Sequence, residues 1–170
     1  YDARGGGAAD GAGPGPGTVY RDADGRFAIR ILPEWTVLDE SRDRVVWEVA
    51  PPSGTLRQTL SITSVDIGMS DTVDSFLDLT PATFSKEFGI PGANLLGSSL
   101  VVGADGRKLV RLRFDSVQTV DGTPVPVGQV MWIHLGDTKA VVVTAVADPA
   151  QLDRIAPFLE PLATSARSLE

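Results

Sequence analysis

His134 is the one histidine in the chain, and the chain contains no cysteine. A Ser-His-Asp triad would have to use His134 as its general base, yet no Gly-x-Ser-x-Gly segment supplies a nucleophile. His134 also stands in a run of apolar residues beside Trp132, where we expect side chains to be buried. The sequence therefore favours a structural histidine, with a pH-sensitive contact and a catalytic base as the alternatives.

Carboxylates are the second set of residues whose types could support chemistry. Asp39, Glu40, Asp43 and Glu48 are close enough in sequence to pair across a cleft as general acid and base. A solvated face accounts for such scattered acids more simply. We therefore predict that the chain is not an enzyme.

A third pattern, Asp22-x-Asp24-Gly25, is similar to the start of a calcium-binding loop. Such a loop needs a glutamate six residues after the glycine, and Ile31 occupies that position. The same residues form a good hairpin turn. With a single histidine and no cysteine, the sequence also predicts no transition-metal site, and we expect no cofactor.

Composition limits the kinds of partner. The 170 residues include 22 acidic and 15 basic side chains, which gives a net charge of −7. Nucleic acid is not an expected partner, because phosphate binding needs a basic surface. No apolar run approaches the roughly 20 residues of a membrane span. We expect one globular domain whose partner is a protein.

Residues 1–17 are rich in glycine, alanine and proline, whereas 18–170 have the composition of a folded domain. We predict that 1–17 form a flexible tether, with a remnant of cloning as the alternative. Such a tether remains when a bacterial lipoprotein loses its signal peptide and lipidated cysteine. The chain is therefore expected outside the cytoplasm, in the periplasm or at the cell surface, lipid-anchored before processing.

Periodicity predicts four strands, a helical segment, four strands and a final helix. Alternation and Asp-Gly turns indicate the strands, and apolar residues at helical spacing indicate the helices. Thr80-Pro81 inside the first helical segment indicates one kinked helix or two short ones. The predicted strands are 18–22, 26–32, 44–50, 58–67, 94–103, 107–117, 125–135 and 139–147, and the helical segments are 73–88 and the stretch after Asp148.

The hairpin from Val125 to Ala147 is apolar on both faces. Val130 and Trp132 alternate with other large apolar residues, so both faces must be covered. The remaining strands show one polar face. The sequence thus predicts an α+β fold with an antiparallel β-sheet of six to eight strands and helices on both faces, an α/β/α sandwich.

Two stretches resemble the PsbP family, which includes the extrinsic photosystem II subunit PsbP, a Ran-binding protein and bacterial lipoproteins. Phe27-Ala28-Ile29-Arg30-Ile31-Leu32-Pro33-Glu34-Trp35 is similar to the opening of that family, where a strand runs into Pro and then Trp. Ala163-Thr164-Ser165-Ala166-Arg167 is similar to its closing Ser-x-Arg segment. The resemblance covers about residues 18–168 and implies an adaptor or assembly protein without catalysis.

Five residues are candidate partner contacts. Trp35 follows Pro33 in a loop, where a large aromatic side chain must either complete the core or bind something, and core packing is the favoured interpretation. Arg42 and Arg44 lie nearby, and Arg111 and Arg113 share the polar face of one strand. The function predicted from these observations is a non-enzymatic binding or assembly module, an accessory extrinsic subunit of a membrane-associated complex.

The alternative function is a small-molecule carrier. Phe76, Phe84 and Phe88 form an aromatic stripe in the helical segment 72–88, and the break at Pro81 could leave a gap beneath it. This hypothesis places an apolar pocket between the sheet and that segment.

Overall fold

The computed structural model describes residues 17–90, 93–103 and 105–170. The predicted tether therefore lies, apart from Gly17, outside the described residues. Strands are β1 (Thr18–Arg21), β2 (Phe27–Ile31), β3 (Thr36–Glu40), β4 (Arg44–Ser53), β5 (Leu56–Asp66), β6 (Asn94–Val102), β7 (Lys108–Val120), β8 (Thr123–Leu135), β9 (Lys139–Ala147) and β10 (Arg167–Ser168); helices are α1 (Val73–Leu77), α2 (Pro81–Phe88) and α3 (Pro149–Ala163). None of these helices is long and apolar enough to cross a membrane.

Seven strands form one antiparallel sheet in the order β3-β4-β5-β9-β8-β7-β6. The predicted central hairpin is β8 and β9, which pair from Gly128 opposite Ala147 to Leu135 opposite Ala140. Its position between β5 and β7 explains why both of its faces are apolar, since each is covered by another layer. The predicted α+β class, with helices on both faces of an antiparallel sheet, is confirmed.

The four strands predicted before the first helix all occur, but the structure differs from the prediction in two respects. The β1–β2 hairpin does not join the large sheet; it pairs with β10 in a separate three-stranded sheet. In addition, Thr36–Glu40 forms a strand, β3, that the sequence analysis missed. This edge strand is mostly exposed and has no alternating apolar pattern that periodicity could detect. It forms because its backbone pairs with β4.

One face of the large sheet is covered by α3 and the small sheet. Phe27, Ile29 and Trp47 are each at most 1% exposed in this layer. Tyr20 of the small sheet meets the Trp47 ring edge-on at 5.3 Å between centroids, a favourable aromatic arrangement. The side chain of Asp148 accepts a hydrogen bond from the backbone N–H of Ala150 and caps α3, as predicted.

The opposite face is covered by α1 and α2. Segment 73–88 forms two helices, because Thr72 and Thr80 each cap a helix start and Pro81 occupies the first turn of α2. Phe84 of α2 lies 4.8 Å from the ring of Phe114 on β7 and is fully buried. The large sheet is therefore the middle layer of a three-layer fold.

Candidate functional site

Trp35 lies in the core. It is 3% exposed, and its ring centroid is 6.3 Å from that of Trp47. The core interpretation is confirmed. Its inclusion among the partner contacts is not supported, because a side chain this deeply buried offers no surface to a partner.

Arg111 contacts α3 instead of projecting into solvent. Its Nη1 donates to Oε1 of Glu160 at 2.5 Å, and its Nε donates to the hydroxyl of Ser99 at 3.2 Å. The same Glu160 oxygen accepts a hydrogen bond from the indole nitrogen of Trp132 at 3.2 Å. Arg111 therefore helps to fix α3 on the sheet.

Arg113 has intramolecular partners as well. Its Nη1 donates to the carboxylate of Asp115 at 2.6 Å and to the carbonyl oxygen of Phe114 at 2.8 Å. Its Nε lies 3.4 Å from Asp153 on α3. Sequence alternation placed both β7 arginines on the polar face correctly, but α3 crosses that face.

Arg44 and Arg42 remain on the surface, at the turn between β3 and β4. Arg44 forms an exposed ion pair with Asp39 at 3.4 Å, an arrangement that contributes little to stability. Arg42 is exposed and has no hydrogen bond or ion pair among the described residues. Of the five predicted contacts, Arg42 is thus the one whose charge is free for a partner.

Arg42 borders a polar cleft of about 630 Å³. The cleft forms where the turns after β1 and after β3 meet the end of β5, the start of β9 and Glu170 after β10. Three cationic and four acidic side chains face it, together with one hydroxyl. Its lining residues are Asp24, Arg26, Arg42, Asp43, Ser64, Asp66, Lys139 and Glu170.

The other two cations of the cleft are paired. Lys139 lies 3.1 Å from Glu170 and 3.7 Å from Asp66, and its hydrogen bond to Glu170 raises the pKa of Lys139. Arg26 forms a two-pronged hydrogen bond with Asp22, through Nε at 2.7 Å and Nη2 at 2.9 Å. These hydrogen bonds lower the pKa of Asp22 and raise that of Arg26.

An unsatisfied polar group lies in the cleft wall. The hydroxyl oxygen of Ser64 is buried and has no hydrogen-bond partner. Unpaired buried hydroxyls are uncommon, because losing water without a replacement costs free energy. The cleft therefore has an exposed guanidinium at its rim, whereas the Ser64 hydroxyl is enclosed in its wall and offers no surface to a ligand.

His134 has the structural role predicted for it. Its Nε2 lies 3.0 Å from the carbonyl oxygen of Ala163 at the end of α3. Burial lowers the pKa of His134, so the ring is neutral at pH 7 and donates its Nε2 proton to that oxygen. Within 17–90, 93–103 and 105–170, no three acidic or histidine side chains form a group that could hold a metal ion.

The phenylalanines that motivated the carrier hypothesis pack against one another. Phe84 and Phe88 have centroids 4.7 Å apart, and Phe76 lies 6.4 Å from Phe88. Because Phe84 also contacts the sheet, these rings form part of the core between the sheet and the two helices.

One further surface, the outer edge of β6, was not predicted from the sequence. Leu96, Leu100 and Val102 are 54%, 44% and 62% exposed there. Their alternation was assigned to an ordinary hairpin strand. The available signal was a run of nine residues without a charge, since edge strands usually carry one.

Comparison with known proteins identifies the fold. No family model and no curated protein matches this sequence. The solution structure of cyanobacterial PsbP (CyanoP) from Synechocystis sp. PCC 6803 matches over 95% of this chain and 98% of its own, with 16% identity and a TM-score of 0.60. The chain has the PsbP fold.

Two other PsbP-like structures have similar scores. LpqN of Mycobacterium tuberculosis, described as involved in cell envelope biogenesis, matches over 89% of both chains with 13% identity and a TM-score of 0.52. The Ran-binding protein Mog1p of Saccharomyces cerevisiae matches over 90% of this chain and 95% of its own, with 8% identity and a TM-score of 0.54. At identities this low, the structural matches establish the shared fold alone, and function has to be argued from the site.

Proposed function

We propose that this PsbP-like chain is a non-catalytic protein-binding module, an accessory extrinsic subunit of a membrane-associated complex. The observation that carries the proposal is the cleft at Arg42. Its guanidinium is exposed and has no ion-pair or hydrogen-bond partner in the described part of the chain, and it stands at the rim of a concave surface lined by charges of both signs. Arginine is enriched in protein interfaces, because its planar group donates up to five hydrogen bonds.

The lining of the cleft favours a protein over an apolar small molecule. Small-molecule pockets are mostly apolar with a few polar groups, whereas seven of the eight lining residues here are charged. Complementary charges on a macromolecular partner would steer association and set orientation. The acids of the cleft select basic groups, and Arg42 selects an acidic one.

The description of one structural neighbour supports a binding role, and that of another supports a location in the cell envelope. Mog1p is described as Ran-binding and LpqN as involved in cell envelope biogenesis. We place this chain outside the cytoplasm, in the bacterial lipoprotein branch of the fold, with residues 1–17 as the tether to a lipid anchor. If residues 1–17 form such a tether, a Gly-rich coil of that length has a root-mean-square span of roughly 20–25 Å, which would limit the domain to partners near the membrane surface.

The proposal is tested by capture from the membrane fraction of the cells that make the protein. We expect the full chain to capture a protein partner. The Arg42→Glu variant should capture at least about tenfold less of that partner. Lys86→Glu is the matched control, since Lys86 is an exposed cation on α2, on the opposite face of the sheet. If Arg42→Glu and Lys86→Glu reduce capture equally, the cleft is not the binding surface. If no partner is captured and the protein turns over a small substrate, the proposed binding function is wrong.

A further inference from the structure

The two edges of the large sheet differ in how they are protected. β3, at one edge, has five residues, ends in Asp39 and Glu40, and has a register shift between Val37 and Asp39. Short length, charge and irregular register all discourage a further strand from pairing. β6, at the other edge, has nine residues and contains neither a charged residue nor proline.

Beyond one irregularity near its start, β6 is a regular strand. The register shifts between Leu95 and Gly97, and from there pairing with β7 is continuous to Val102, which lies opposite Lys108. Among the described residues no strand pairs with the outer edge of β6. The outer edge therefore presents backbone donors and acceptors in the spacing of an extended strand, with Leu100 and Val102 exposed on one face.

We propose that the outer edge of β6 binds an extended segment of a partner protein, which adds to the sheet as one further antiparallel strand. This inference rests on the proposed protein-binding function and adds a second contact surface, at the edge of the sheet opposite the Arg42 cleft. Strand addition derives affinity from backbone hydrogen bonds and specificity from alternate side chains. The segment therefore carries apolar side chains at every second position, opposite Leu100 and its neighbours.

Lys108 adds a charge requirement. Its side chain has no ion pair among the described residues, and it lies directly across from Val102 on β7. Same-face positions two strands apart are about 10 Å apart, which a lysine and a glutamate side chain can span together. An acidic residue paired with Val102 would thus neutralise Lys108.

A second copy of this chain fits this edge poorly. A β6–β6 pair would bring no acidic side chain beside Lys108, because β6 contains none. Each copy also carries a net charge of −7, so approach would be repulsive overall. The edge thus favours a different chain.

The probe is a synthetic peptide of about nine residues, the length of β6, with valine and threonine alternating and one glutamate in register with Val102. Two N-methylated versions keep its side chains. One loses the N–H groups on the edge that faces β6, and the other loses those on the outward edge. Because N-methylation removes a backbone donor, only the first should lose binding, by at least about tenfold, in a fluorescence titration up to about 1 mM peptide.

Variants of the protein test whether the peptide binds at the β6 edge. Leu100→Lys and Val102→Lys each place a charge on the strand, as natural edge strands do, and should weaken binding by about tenfold or more. Leu38→Lys is the control, since Leu38 is a 37% exposed apolar residue on the opposite edge. Both β6 positions are exposed, so these variants should fold, and circular dichroism checks this.

Several results would overturn the inference. No saturable binding, equal loss with both N-methylated peptides, or equal loss with Leu38→Lys each excludes strand addition at β6. Sedimentation that shows a dimer abolished by Val102→Lys would make a second copy the occupant. If the peptide fails while membrane capture still depends on Arg42, the binding function stands and strand addition alone is rejected.

Discussion

The Nε2 atom of His134 on β8 lies 3.0 Å from the carbonyl oxygen of Ala163, the last residue of α3. Carbonyl groups in the last turn of a helix have no partner within the helix. The Ala163 carbonyl oxygen accepts the backbone N–H of Ala166 at 3.3 Å, and the neutral imidazole donates a second hydrogen bond to it through Nε2. The contact thus ties the end of α3 to the sheet.

This contact predicts a pH dependence of stability. Burial lowers the pKa of His134 below 6.5, so the unfolded chain binds the proton more readily than the folded one. The stabilisation is complete above about pH 6.5 and is lost as the pH falls from there through the folded pKa. His134→Gln keeps a donor and does not titrate. We expect urea unfolding curves of the wild type to lose more stability than this variant between about pH 6.5 and 5, and parallel losses would contradict the assignment.

Asp22 should stabilise the first hairpin through Arg26. Its side chain is 5% exposed and accepts two guanidinium hydrogen bonds and the backbone N–H of Arg26. Asp22→Asn should lower the free energy of unfolding by about 1–3 kcal/mol. Asp24→Asn is the control: Asp24 is 67% exposed and 4.0 Å from Arg26, so its loss should cost under about 0.5 kcal/mol.

The pair of Asp22 and Arg26 also predicts that stability falls at acid pH. The pKa of Asp22 is lowered from 3.8, chiefly by its hydrogen bonds to Arg26. Its stabilisation is therefore present above about pH 3.8 and is lost as the pH falls through the folded pKa. Thermal melts of wild type and Asp22→Asn should converge below that range, and a constant difference down to the lowest pH would contradict the ion pair.

Replacing Gly128 on β8 with any larger residue should lower the free energy of unfolding. A Cβ atom there would lie 2.9 Å from Cδ2 of Leu152 and 3.0 Å from Cα of Pro149, both on α3. Gly128→Ala would push α3 away from the sheet, at a cost of about 1–3 kcal/mol measured by chemical unfolding. Gly97→Ala is the matched strand control, because a Cβ at Gly97 meets nothing within 4 Å; equal costs would mean that the α3 contact is not the cause.

Glu160 should matter more than an ordinary surface acid. It accepts hydrogen bonds from Arg111 and from the fully buried Trp132. Glu160→Ala leaves the indole N–H unpaired and should cost about 1–3 kcal/mol, while Glu160→Gln, which keeps an acceptor, should cost less. Asp153→Ala removes an acid that is 74% exposed on the same helix and should cost under about 0.5 kcal/mol. Fluorescence of the tryptophans reports unfolding in each case.

Deleting residues 1–17 should leave the melting temperature unchanged. No periodic apolar residue occurs in that segment, so it has little to bury. The shortened domain should bind its partner in solution as the full chain does, but lose the gain in effective concentration at the membrane. A melting temperature lowered by several degrees would instead mean that the segment packs on the domain.

Local rules explain what could be predicted. The Asp121-Gly122 turn between β7 and β8 was recognised because a tight hairpin needs positive φ, and the two residues have φ of 50° and 79°. Val110, Leu112 and Phe114 alternate with Arg111 and Arg113 along β7, and all three are buried. Such signals need only near neighbours, so sequence alone determined most strands, the helices and the fold class.

Packing between distant segments decided the rest. Nothing in Thr18–Ile31 says that this hairpin pairs with Arg167 and Ser168, because strand partners are chosen by contacts across the whole chain. Sequence alternation predicts that Arg111 faces solvent. Because α3 crosses that face of the sheet, Arg111 instead donates a hydrogen bond to Glu160. The cleft at Arg42 likewise joins five segments far apart in sequence. Periodicity specifies which face of an element is apolar, whereas only the tertiary structure determines what covers each face and which charges are left without a partner.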